Sequence, residues 1–150
     1  MKNVANIQFN PHSDNYGQLI ALEELHEIPF PIKRVYYIYN VEEGVRRGFH
    51  SHRDLHQVLI CLHGKVKILV KTPDEEMVVE LDDPSKGLYI GPMVWREMYD
   101  FEDGGVLMVL ASEYYTVSDY IRDYSVYEKE ALQYAFDDKD NLVLNPKERK

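Results

Sequence analysis

From Val4 to Val109, hydrophobic residues come in short runs or in strict alternation, bounded by turn residues. Such a pattern predicts strands. In Lys65-Val66-Lys67-Ile68-Leu69-Val70-Lys71, the side chains of Val66, Ile68 and Val70 share one face, and Lys65, Lys67 and Lys71 take the other. In Arg34-Val35-Tyr36-Tyr37-Ile38-Tyr39, one face carries Arg34, Tyr36 and Ile38 and the other carries Val35, Tyr37 and Tyr39. Strands are expected at Val4 to Phe9, Gln18 to Leu25, Arg34 to Asn40, Phe49 to His52, Gln57 to Cys61, Lys65 to Lys71, Met77 to Leu81, Leu88 to Ile90 and Val106 to Ala111. Turn residues stand between them, notably His63-Gly64, Thr72-Pro73-Asp74 and Asp103-Gly104-Gly105; Gly and Asx tolerate the positive φ of tight turns. Many short strands without a βαβ pattern predict an all-β jelly roll or barrel. The pattern changes at Ser118, which is placed to cap a short C-terminal helical segment beginning Asp119-Tyr120-Ile121-Arg122, with the acid at its positive end. The expected organisation is a single domain over 1–136 and a polar tail over 137–150 that frays.

Composition narrows the function classes. The 150 residues suffice for one core and not for two. A net charge of -9 has the wrong sign for a nucleic-acid binder. A lone cysteine, Cys61, excludes an internal disulfide and suits a reducing compartment. No apolar run approaches the ~20 residues of a membrane span and no signal core is evident. A cytoplasmic protein without a membrane partner is therefore expected. The 12 tyrosines are ordinary sheet residues that also suit contact with a sugar or a base.

The chemistry concentrates in one stretch: Gly44, five residues, His50-Ser51-His52, four residues, Gln57, six residues, Gly64. That is the spacing of the first motif of cupin barrels, with Gln57 where a metal-binding cupin has an acid. Residues two apart on a strand share a face, so both imidazoles enter the barrel together. Metal binding needs three or four convergent ligands. Uncharged Gln57 is a poor one, and the second-motif stretch Gly87 to Glu97 holds no histidine. Glu97 or His56 remains as a possible third ligand, but the expectation is no metal and no cofactor. His56 and His63 read as edge or turn residues. Arg34, Arg47, Arg53 and Arg96, with Trp95 and the tyrosines, suit a nucleotide-bearing substrate, because guanidinium grips phosphate bidentately and an aromatic ring stacks on a base.

The chain is similar to the dTDP-sugar 3,4-ketoisomerases, cupins that act on dTDP-4-keto-6-deoxyglucose. The similarity rests on Ile28-Pro29-Phe30 with Ile32 to Tyr37, Arg47 to His52 with Gln57 and Leu59-Ile60-Cys61, Gly87 to Ile90 with Pro92 and Trp95, and Leu107 to Ser112 with Tyr115 and Asp119 to Tyr124. It implies a jelly-roll cupin, a homodimer with exchanged N-terminal strands and no metal. It implies His50 and His52 as the proton-moving pair with Tyr36 beside them. It also implies Arg34, Tyr37, Arg47, Arg53, Gln57, Trp95 and Arg96 as substrate-binding residues. The expected reaction moves the carbonyl from C4 to C3 through an enediolate, supplying a precursor of a 3-amino-3,6-dideoxyhexose. A neutral imidazole suits the abstraction at pH 7, and His50 is taken as the base with His52 as its partner. The alternatives are a 3,5-epimerase on the same substrate class, a non-catalytic sugar-nucleotide-binding cupin and a metal-dependent oxygenase.

Overall fold

A computed structural model describes residues 1–134 and 136. The strands are β1 (Val4–Gln8), β2 (His12–Asp14), β3 (Gly17–Leu19), β4 (Arg34–Ile38), β5 (Arg47–His52), β6 (Gln57–Lys71), β7 (Glu76–Leu81), β8 (Lys86–Ile90), β9 (Trp95–Ala111) and β10 (Tyr120–Ile121). One helix, α1 (Tyr124–Gln133), follows them. Pairing is antiparallel throughout these strands.

The long strands β6 and β9 run side by side and serve both layers of the jelly roll. Near Gln57–Leu59, β6 pairs with β8, and β8 with β1, while the end of β9 pairs with β4. Beyond the bend, β6 pairs with β7, and the start of β9 pairs with β5, which in turn holds β10. The layers enclose a core of Leu59, Cys61, Val66, Ile68, Val70, Leu88, Ile90, Met98, Leu107 and Val109 among others. The segment after β3 covers the outside of the first layer, where Ile28 and Phe30 pack on Val58, Ile60, Tyr89 and Leu110. This explains why Val58 to Cys61 are all buried: both faces are covered.

Three sequence expectations need correction. First, Gln57 to Cys61 and Lys65 to Lys71 are one strand, and β9 begins at Trp95 rather than Val106. The Gly64 and Asp103–Gly105 signals mark a bulged corner, not hairpin turns, since positive φ serves both. At Gly64 (φ +68), an added Cβ would lie 2.3 Å from the Glu102 carbonyl oxygen, so only glycine lets the two strands cross there. Second, the region read as a strand from Gln18 to Leu25 stops at Leu19; Ile20 and Leu22 turn inward to the outer cluster instead. Third, the helix starts later than Ser118 suggested. Asp123 is its cap, accepting from the Ser125 and Val126 N–H groups, while Val117–Asp119 is a single 3-10 turn. Ile121, Tyr127 and Ala131 then pack with Met93 and Trp95, docking α1 on the second layer. The expected tail over 137–150 lies outside the described residues.

Candidate active site

Strand alternation builds the site. Gln57 shares the inward parity of Leu59 and Cys61, and Arg96 that of Met98. On β4, Arg34, Tyr36 and Ile38 share one face, as the alternation predicted, and that face turns inward. With Arg47, Gly48 and His50 of β5, Met98 of β9, Tyr120 and Arg122, they line an open cavity of about 300 Å³. Larger surface cavities, along Asn6–Gln8 with Met77–Leu81, beside Met1 with Asp74, and against Tyr124 and Tyr127 of α1, are lined without histidine or arginine.

A bulge aims the first imidazole. Gly48 pairs with Glu97 and His50 with Arg96, leaving Phe49 as the extra residue. Gly48 (φ +95) and Phe49 (φ 54) both occupy left-handed backbone, and a Cβ on Gly48 would meet the Arg96 carbonyl at 2.9 Å. Beyond the bulge His50 and His52 share the inner face, 8% and 0% exposed. Their rings lie edge to face with centroids 4.9 Å apart, and Tyr120 packs 5.0 Å from the first and 4.3 Å from the second. His50 reaches the cavity wall, while His52 lies behind it.

Both imidazoles are neutral at pH 7. Burial, then the Arg96 charge and then His52, lower the His50 pKa to about 3. For His52, burial outweighs the hydrogen bond it gives to Asp119 and sets the pKa at about 4. The His52 Nδ1 lies 2.8 Å from Asp119 Oδ2. Among the described residues, His50 Nδ1 and His52 Nε2 are buried without a hydrogen-bond partner. Orphaned polar atoms of this kind are uncommon in a settled core and make the pair a candidate reactive site.

The acid position of the cupin motif is occupied by a polar chain. Gln57 donates through Nε2 to the Tyr36 hydroxyl at 3.0 Å and accepts through Oε1 from Arg96 Nη1. Arg96 is 1% exposed, gives a second bond to the Val94 carbonyl at 3.0 Å, and is lowered by burial to about 10. It stays cationic at pH 7. A fixed guanidinium beside two imidazoles opposes a divalent cation electrostatically. Among the described residues, no three His, Cys, Asp or Glu side chains cluster as a metal site. Burial raises the Tyr36 pKa, with Arg96 partly opposing, so its hydroxyl keeps its proton. At the mouth Arg34 lies over the Tyr36 and Tyr115 rings, and Arg122 over Tyr120.

Of the sequence candidates, the structure brings together His50, His52, Tyr36, Arg34, Arg47, Gln57 and Arg96. Three fall elsewhere. Tyr37 is 64% exposed on the opposite face of β4, as strand parity requires. Trp95 is one residue out of phase with inward-facing Arg96; it packs edge-on against Tyr124 beneath α1 and donates to Glu97. Arg53 straps the C-terminal segment, donating to the Ser118 and Tyr120 carbonyls and to Glu130. Glu97, considered as a metal ligand, faces outward and pairs with Arg46 and Trp95. His56 contacts the Tyr89 hydroxyl at 2.6 Å in the outer cluster. Asp119, Tyr120 and Arg122 were missed as site residues, because Asp119 to Arg122 reads as the start of a helix. The polar–apolar–polar alternation Tyr120-Ile121-Arg122 was the available signal.

Comparison with known proteins agrees with this geometry. The FdtA family model (WxcM-like, C-terminal) matches residues 2–132. A curated relative, the TDP-4-oxo-6-deoxy-alpha-D-glucose-3,4-oxoisomerase of Aneurinibacillus thermoaerophilus, is 47% identical over 123 residues, which are 82% of this chain and 88% of that protein. The crystal structure of QdtA, a sugar 3,4-ketoisomerase from Thermoanaerobacterium thermosaccharolyticum in complex with TDP, superposes with a TM-score of 0.86 at 60% identity over 87% of this chain and 96% of that one. A histidine-to-asparagine variant of the same enzyme, in complex with TDP-4-keto-6-deoxyglucose, gives a TM-score of 0.88 at 57% identity, covering 91% and 99%. With most of its length matched and its two histidines converging in the barrel, this chain belongs to the FdtA family of sugar-nucleotide ketoisomerases.

Proposed function

We propose that the protein is a 3,4-ketoisomerase that converts TDP-4-keto-6-deoxyglucose into a TDP-3-keto-6-deoxyhexose without a metal ion. The observation that carries the reading is the pair of buried neutral imidazoles with unpartnered ring nitrogens, beside a protonated tyrosine and facing a cavity rimmed by arginines. The relatives at 47% and 60% identity carry names for this reaction.

In the proposed mechanism the 4-ketone acidifies the C3 hydrogen. His50, on the cavity wall, takes that proton while the C3–H electron pair forms the C3–C4 double bond and the ketone oxygen becomes an enolate. The Tyr36 hydroxyl and the fixed positive charge of Arg96 favour that developing negative charge. A proton returned to C4, with the proton of the O3 hydroxyl passing to O4, leaves the carbonyl at C3 and a hydroxyl at C4; C3 is oxidised, C4 is reduced, and no external reductant is needed. Arg34, Arg47 and Arg122 at the mouth are assigned to the diphosphate, whose binding holds the hexose against the histidines. The reading includes a homodimer with exchanged N-terminal strands. Its support is the β2–β3 hairpin, which among the described residues pairs only with itself and carries Tyr16 98% exposed at its tip, and the bare Val35, Tyr37 and Tyr39 face of β4.

The test is incubation of the purified protein with TDP-4-keto-6-deoxyglucose and identification of the product by NMR. A carbonyl carbon at C3 supports the assignment. An unchanged substrate at high enzyme concentration contradicts it and favours a sugar-nucleotide-binding cupin.

A further inference from the structure

Asp119 is the one carboxylate in contact with the histidine pair among the described residues, and its two oxygens do different jobs. Oδ1 accepts from the Asp54 backbone N–H at 2.8 Å, tying the 3-10 turn to the loop after β5. Oδ2 faces His52 Nδ1 at the same 2.8 Å. The Asp119 backbone carbonyl also accepts from the Arg53 N–H at 2.9 Å, so main chain and side chain of this residue are both tied to the loop after β5. Burial acts to raise the Asp119 pKa, but the bonds from His52 and from the Asp54 and Arg53 backbone hold it below the usual value, so it stays ionised. An ionised carboxylate only accepts; the proton in the contact with Oδ2 therefore sits on Nδ1. The ring of His52 is wedged between His50 and Tyr120, so it has no free choice of orientation.

We infer that Asp119 is a positioning residue that locks His52 in the Nδ1–H tautomer and presents the bare Nε2 lone pair inside the site. This rests on the ketoisomerase reading for its catalytic meaning, not for its geometry. When His50 takes the C3 proton, the neighbouring imidazole offers an acceptor rather than a second N–H, so the imidazolium forms beside a lone pair. The proton then has a place to rest before it reaches C4, and Asp119 remains ionised throughout. The opposite tautomer would aim an N–H at the site and oppose protonation of His50.

Asp119→Asn isolates the effect. The asparagine Oδ1 keeps the bond from Asp54 N–H, while its amide now donates to His52 Nδ1 and forces the Nε2–H form. Two readouts are taken: the tautomer of His52 by ¹⁵N-detected imidazole NMR, assigned by loss of the signal in His52→Gln, and turnover of TDP-4-keto-6-deoxyglucose. Wild type is expected to show Nδ1–H, and the variant Nε2–H, with kcat lowered by about 10²–10⁴ and KM little changed. Asp119→Glu is expected to recover part of kcat, because it restores an acceptor. An Nε2–H signal from His52 in the wild type overturns the inference even if the variant does not fold. So does an inverted tautomer with unchanged kcat. A wild type inactive on this sugar contradicts the ketoisomerase reading instead, and the tautomer measurement still decides the assignment of Asp119.

Discussion

Replacing His50 by asparagine is expected to flatten the acid side of the stability curve. His50 has a pKa near 3 in the folded protein against an ordinary 6.5, because burial, then Arg96 and His52, oppose its charged form. Between those values the unfolded chain binds a proton at this ring and the folded chain does not, so stability is full above pH 6.5 and falls as pH drops toward 3. Integrated from pH 8 to pH 4.5, the single site costs about 3 kcal/mol of folding free energy, a large share of the roughly 5–15 kcal/mol typical of a domain. Asparagine cannot titrate, so the difference between the two proteins isolates this ring. Urea unfolding of wild type and His50→Asn at both pH values, at one protein concentration, is the assay. The wild type is expected to lose about 3 kcal/mol more than the variant across that interval. Parallel losses would show that His50 is not held neutral by its surroundings and would remove the basis for treating it as a base at pH 7.

Other substitutions separate site from scaffold. Arg34→Gln, Arg47→Gln or Arg122→Gln is expected to weaken TDP binding about tenfold each, one charge-assisted contact apiece, measured by calorimetry; unchanged affinity in all three would move the diphosphate elsewhere. Trp95→Ala is expected to destabilise the protein by about 3–5 kcal/mol by emptying the space beneath α1, read by thermal melting, whereas a loss of TDP affinity at unaltered stability would restore Trp95 as a base platform. Gln57→Leu keeps the volume but strands the Arg96 Nη1 donor and frees the Tyr36 hydroxyl, so it should lower both kcat and stability, the latter by about 1–3 kcal/mol; a variant equal to wild type in both would discount the chain from Arg96 to Tyr36.

The barrel and its inner face were legible in the sequence because strand parity is a strict period. The period put Arg34, Tyr36 and Ile38 on one face and the His-x-His spacing put both imidazoles on another strand's inner face, and the fold brings the two together. Parity alone puts Tyr37 on the face opposite Arg34 and Tyr36, but Trp95 lay outside every strand the sequence predicted, so parity had no hold on it. They were retained because aromatic character suits nucleotide binding, a chemical argument that ignores direction. Arg53 illustrates a different limit. Its neighbours Ser118, Tyr120 and Glu130 are remote in sequence, and no local pattern announces a guanidinium used as a strap. The sequence pointed to Ser118 as the cap of the C-terminal helix, whereas Asp123 caps it. Tertiary pairing of Tyr120 and Ile121 with His52 and Ser51 decided for the later one, and the same pairing carried Asp119 and Tyr120 into the site.

On the proposed mechanism the histidine pair moves a proton between C3 and C4 and leaves C5 alone, with no metal. The decisive measurement follows TDP-4-keto-6-deoxyglucose by NMR in deuterated buffer, with protein exhaustively treated with chelator. Full turnover is expected, with migration of the carbonyl to C3, deuterium appearing at C4 to the extent that the transferred proton exchanges with solvent, and protium retained at C5. Deuterium at C5 with the carbonyl still at C4, or turnover that is lost on chelation and restored by a divalent metal, would contradict it.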